Sequence, residues 1–197
     1  MMNRCRNHIH PEAYILLFIL VAMVACATSG ISENYHDPEM DFSALRTLAV
    51  MPFANLTTDK LAGQRVRDTF MTSLMATGVV YVIPAGEIDR GILRTKLANP
   101  ITPSSEDIAK LSSIVKADAV ITGVVREYGL VRSGQASAGV ISMSMQMTES
   151  QSRKVVWTAA TTQGGISTLD RLFGGGGRPM NEITQQAVND IIQKLFY

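Results

Sequence analysis

ISMSMQMT, residues 141–148, decides how this chain folds. Ile141, Met143, Met145 and Met147 alternate with Ser142, Ser144, Gln146 and Thr148, giving one apolar and one wet face. A period of two belongs to a strand packed on one side only, the usual state in antiparallel sheet. Upstream, RTLAVMPF (46–53) shows no alternation; it is a short apolar run ended by Pro52, as expected of a buried first strand. VVYVI (79–83) makes a second strand and DAVITGVVREYGLV (118–131) a third. KVVWTAATTQ (154–163), with Trp157 near its start, follows the alternating strand across the polar turn ESQSR.

Between these strands the period changes to that of a helix. Ala62, Val66, Phe70 and Leu74 recur every fourth position from Lys60 to Thr77, and Gly78 supplies a stop. Pro84 suits a first helical turn, Ile88, Ile92, Leu93 and Leu97 supply the core side, and Asn99-Pro100 ends that helix. Ser104 with Asp107 resembles a capping box, followed by Ile108, Leu111 and Val115. The last helix follows Pro179 and carries Ile183, Ala187, Ile191 and Leu195 on one stripe. The predicted order is β-α-β-α-α-β-β-β-α: a single α/β domain over 46–197, with a mixed sheet of about five strands and helices packed against it.

The amino terminus has a different character. Arg4 and Arg6 precede an apolar run from Tyr14 to Ala25, about a dozen residues, whereas a membrane-spanning helix needs roughly 20. Small residues follow, so residues 1–25 read as a secretory signal. Met23-Val24-Ala25-Cys26 resembles the lipobox of bacterial lipoproteins. That resemblance implies cleavage before Cys26 and acylation of Cys26 by a thioether-linked diacylglycerol and an amide-linked chain such as palmitate. Ala27 resembles the sorting pattern that sends lipoproteins to the outer membrane, facing the periplasm. The alternative is an ordinary signal that happens to end near a cysteine. Residues 26–45 are polar and turn-rich and read as the lipidated cysteine and its tether.

Removing the signal takes two of 18 basic and one of 17 acidic side chains, leaving 16 of each and no net charge, which does not recommend nucleic acid. Cys5 leaves with the signal, so no disulfide is expected in an exported chain. His36 is then the only histidine, in the polar segment SENYHDPEMD, where a loop histidine is most often solvated. No metal site, cofactor or catalytic group is expected, since there is no G-x-S-x-G elbow and no carboxylate pair at a telling spacing. RLFGGGGRP (171–179) lacks the Lys-Ser or Lys-Thr of a phosphate loop, so no nucleotide is expected. It reads either as a connector or as a loop that orders when a neighbour docks.

The runs LAVMPFANLT, KADAVITGVVREYG and KVVWTA resemble a group of bacterial outer-membrane lipoproteins. The group includes the curli secretion-channel subunit, the Pel polysaccharide export lipoprotein and the lipoprotein activators of peptidoglycan synthases. The resemblance covers 46–196 and implies a domain similar to the amino-terminal domain of TolB that binds partners and catalyses nothing. The chain lacks the long amphipathic hairpins of the curli channel, so it is not expected to form its own pore. Its tether is shorter than the arm of the synthase activators. The resemblance therefore implies an oligomeric accessory of polymer or protein export serving an outer-membrane channel, the alternative being a monomeric activator of a peptidoglycan synthase. Arg171, Phe173 and Arg178 beside the glycine run, with Tyr128 and Arg132 at the end of the third strand, are the candidate partner-binding residues. Arginine and aromatic side chains combine planar donors or rigid apolar area with low ordering cost. For Tyr128 an intramolecular role is an equal alternative.

Overall fold

The computed structural model describes residues 33–133, 136–165 and 178–196. Their centre is one seven-stranded mixed sheet. In chain order the strands are β1 (Asn34–His36), β2 (Thr47–Val50), β3 (Ala54–Asn55), β4 (Tyr81–Val82), β5 (Ala119–Ser133), β6 (Ala136–Glu149) and β7 (Val155–Gly164). The helices are α1 (Ala62–Ala76), α2 (Ala85–Thr95), α3 (Ser105–Val115) and α4 (Met180–Phe196). Across the sheet the order is β1-β7-β6-β5-β2-β4, with β3 also on β5. β2, β3 and β4 form the parallel part, and β5, β6, β7 and β1 run antiparallel.

Both patterns read from the sequence have their expected cause. In β2 and the residue after it the buried side chains divide between two layers: Leu48 and Val50 join the main core, while Ala49 and Met51 join a smaller cluster on the opposite face. In β6, Ile141, Met143, Met145 and Met147 are all buried against α1 and α4. Thr148, expected on the wet face, is also buried, because it pairs with Val120 of the smaller cluster. α1 and α4 pack on the main-core side through Val66, Phe70, Leu74, Ile183, Ala187 and Ile191. α2 and α3 cover the other side through Ile88, Ile108 and Leu111.

Particular side chains fasten these layers. Arg67 of α1 is buried and its guanidinium donates from Nε (3.2 Å) and Nη2 (2.7 Å) to the carbonyl of Val50, the last residue of β2. Burial pushes that guanidinium below its ordinary pKa, against the opposing pull of Asp89 and Asp68. The Asp118 carboxylate accepts from the backbone of Arg46 and Thr47, tying β5 to the start of β2. Trp157 is fully buried and donates from Nε1 to the Lys194 carbonyl of α4 at 2.9 Å. The Ser104 and Asp107 capping box forms in both directions at the start of α3.

Several expectations need correction. Among the described residues there are seven strands in place of about five, because β1 and β3 are only three and two residues long and carry no period of their own. β1 falls within the segment read as a tether over 26–45: Asn34, Tyr35 and His36 pair with Ala159, Thr158 and Trp157. Phe42 and Ala44 bound a 3-10 turn that follows it. His36 is not a solvated loop residue; its ring meets Phe42 edge-on at 5.1 Å and Nε2 lies 3.3 Å from the Leu195 carbonyl. Of the strand expected over 79–83, only Tyr81–Val82 pairs, and Val79 is exposed. Leu93, expected in the core, is 76% exposed. It lies five positions from Ile88, about 140° around the helix and off its buried side. α2 ends at Lys96, which adopts the left-handed conformation, before Asn99-Pro100 is reached.

Candidate functional site

β5 and β6 form the longest hairpin in the sheet, and its far end brings several of the predicted residues into one region. The ladder slips between Val125 and Glu127, so Arg126 and Glu127 are both exposed, as a bulge requires. Beyond it Tyr128 pairs with Ile141, Leu130 with Gly139 and Arg132 with Ser137, placing Tyr128, Leu130 and Arg132 on one face by alternation. A Cβ at Gly139 would lie 2.7 Å from Ile183 Cδ1 and from Met180 Sδ, so the missing side chain is what lets α4 begin against the hairpin. Arg178 and Pro179 precede α4 at this same end.

The predicted partner residues differ in their surroundings. Tyr128 is half-buried, packs on the main core and places its hydroxyl 3.5 Å from Thr184 Oγ1, which donates to the Met180 carbonyl. It also lines a cleft of about 800 Å³ between α1 and α4, with Arg65, Asp68, Glu182 and Gln185. Arg132 is exposed near the hairpin tip. Arg178 is exposed and its guanidinium bonds Gln186 Oε1. Cys26, Arg171, Phe173 and the Gly174 to Gly177 run lie outside the described residues.

A second surface escaped the sequence reading. α2 and α3 cover β2 and the first residues of β5 on their face, and a groove opens over β5, β6 and β7 beyond them. Pairing aligns Thr122, Gln146, Thr158 and Tyr35 in one cross-strand row and Val124, Ser144 and Ala160 in the next. These rows, Tyr35 apart, floor a groove of about 410 Å³, walled by Ile101, Thr102 and Pro103, and among the described residues its charged lining side chains are Glu33 and Arg126. The wet half of ISMSMQMT is the signal that could have found it. What alternation in one strand cannot tell is which hydroxyl residues of the neighbouring strands fall beside it. Among the described residues no three metal-ligating side chains cluster, and no helix is long and apolar enough to cross a membrane.

A single mixed α/β domain of this kind is the fold of a class of bacterial lipoproteins. The chain belongs to the GNA1162-like lipoprotein family, which matches residues 36–195. A search of curated protein sequences finds no match. Among solved structures it is similar to a PelC dodecamer from Paraburkholderia phytofirmans, with 17% identity over 84% of this chain and 98% of that one, TM-score 0.57. Lipoprotein GNA1162 from Neisseria meningitidis is 18% identical over 76% of this chain and 97% of its own, TM-score 0.54. The hypothetical protein CT253 from Chlamydia trachomatis is 14% identical over 77% and 96%, TM-score 0.50. At these identities the likeness establishes the shared fold.

Proposed function

We propose that this chain is a non-enzymatic lipoprotein, held in the outer membrane by acyl chains on Cys26, facing the periplasm, and acting as an oligomeric accessory of polymer or protein export. The observation that carries the oligomeric part is the fold shared with PelC, which assembles as a dodecamer and is matched over nearly its whole length. Membership of a lipoprotein family supports the anchor, together with the Met23-Val24-Ala25-Cys26 sequence. The signal is residues 1–25, and because β1 begins at Asn34 the tether is shorter than 26–45. Copies held close to one surface meet more often than free ones, so weak side-to-side contacts can close into a symmetric ring. The partner served would be an outer-membrane channel.

The anchor and the assembly are tested separately. Globomycin should make an unprocessed precursor accumulate, and a Cys26→Ala protein that still fractionates with membranes would refute acylation as the anchor. For the assembly, Arg132→Cys and Arg178→Cys variants are crosslinked in cells and run on a denaturing gel. A ladder of multimers is expected. Monomer alone at both positions, with native mass spectrometry of the detergent-purified lipoprotein also giving one copy, would replace this reading with a monomeric activator of a peptidoglycan synthase.

A further inference from the structure

Two clefts on opposite faces of the sheet carry opposite charge. On the side of the smaller cluster, Gly91 lets α2 touch α3: a Cβ there would stand 2.7 Å from Leu111 Cδ1 and Val115 Cγ1. That contact sets Arg90 and Arg94 of α2 beside Lys116, the residue after α3, along a cleft of about 370 Å³ that Glu87 also lines. On the main-core side, the cleft of about 800 Å³ between α1 and α4 carries Asp68 and Glu182 beside Tyr128 and Pro179. Its arginine, Arg65, is already paired with Asp59 at 2.7 Å. Among the described residues the other ion pairs are Lys154–Glu39 and Lys194–Asp190. Arg90, Arg94, Lys116, Asp68 and Glu182 therefore stand exposed and outside any ion pair among those residues.

The two surfaces also match in shape. Leu93 is 76% exposed, and one exposed leucine is ordinary. Here Arg90 and Arg94 lie about 60° and 100° from it around α2 on one flank, with Asp89 about 40° away on the other. The result is an apolar knob with a cationic flank. Arg90 and Arg94, four positions apart on one helix, also repel each other, a cost that facing carboxylates remove. The α1–α4 cleft is a hollow with apolar lining from Tyr128 and Pro179 and one carboxylate from each helix, Asp68 of α1 and Glu182 of α4.

We propose that these surfaces meet between copies of this chain: Leu93 of one copy enters the α1–α4 cleft of the next, setting Arg90 and Arg94 against Asp68 and Glu182 there. The occupant is a second copy because the complementary charge and hollow lie on the chain's own opposite face. A contact between two different faces is head-to-tail, and its repetition gives a ring when the rotation closes. This rests on the assembly proposed above and supplies its interface.

The test uses the full lipoprotein, purified in detergent after processing, with its mass read by native mass spectrometry and its fold checked by circular dichroism. Arg90→Glu with Arg94→Glu puts like charge on both sides of the contact, and so does Asp68→Lys with Glu182→Lys. Each double variant should give one copy. All four substitutions together exchange the charges and should restore the multimer, as should a one-to-one mixture of the two double variants, in which every contact again joins opposite charges. A second measurement changes no charge. Cys5 leaves with the signal and acylation blocks the Cys26 sulfur, so Leu93→Cys combined with Gln185→Cys, on the rim of the cleft, should give a disulfide-linked ladder on a non-reducing gel, and neither substitution alone should. A parent that is itself a single copy overturns the assembly reading and this contact with it. A multimeric parent overturns this contact alone if its double variants stay multimeric, if the combined variant folds but stays single, or if the cysteine pair gives no ladder.

Discussion

Arg67 is a charged residue in a place where sequence alone would put a leucine, and its reason is a single carbonyl. The Val50 carbonyl ends β2 and, among the described residues, has that guanidinium as its side-chain partner. Arg67→Ala should lower unfolding free energy by about 1 to 3 kcal/mol, the range for stranding a buried polar group, read as a shift of the urea midpoint by Trp157 fluorescence. An unchanged midpoint would mean that water replaces the guanidinium without penalty. Glu149 makes a different kind of prediction. Partial burial alone would raise its carboxyl, but hydrogen bonds from Ser152 and Gln151 outweigh this and hold it below its ordinary value of 4.5. A depressed folded value means that its contribution is present above the unfolded value and is lost as pH falls through the lower, folded one. The acid limb of a stability profile, below about pH 4.5, should therefore be shallower in Glu149→Gln than in the parent. Equal slopes would show that the turn carboxylate contributes nothing. Neither residue was singled out from the sequence, because both acquire their roles from backbone groups brought near them by folding.

Elements were more legible than residues wherever they were long. The α1 and α4 stripes were read from spacing, and Phe70 and Ile191 are both fully buried in the shared main core. Phe70→Ala and Ile191→Ala should each cost about 2 to 5 kcal/mol, as core truncations that leave a cavity do. Thermal melts that match the parent would place those stripes on the wrong faces. The short strands β1, β3 and β4 were missed or overextended, since two or three residues cannot display a period, and their pairing is decided by the neighbour already in place. Gly123 makes the same point at close range. A Cβ there would come within 2.7 Å of the Phe53 ring, which lies against the strand where a side chain would otherwise stand. β5 therefore keeps a glycine in mid-strand because of a residue 70 positions upstream (123 − 53).

The whole molecule should hold together through packing, with two apolar clusters on either side of one sheet. Chelator or reductant should leave the melting temperature unchanged, and a drop of several degrees on adding EDTA would reveal a metal site. Of the candidate surfaces, the sequence marked the hairpin end through Tyr128 and Arg132, and the structure adds that Leu130 and Val131 stand exposed between them. It also separates the two marked residues, with Tyr128 half in the core and Arg132 in water. By itself the sequence determined the order of the long elements, the mixed sheet and the change from buried to one-side-wetted strands. Those follow from whether each strand is wetted on one face or neither, which its own residues record. Only the tertiary structure decided the edges of the sheet and the open groove beside them. Those depend on which distant segments lie side by side, and no local period carries that information.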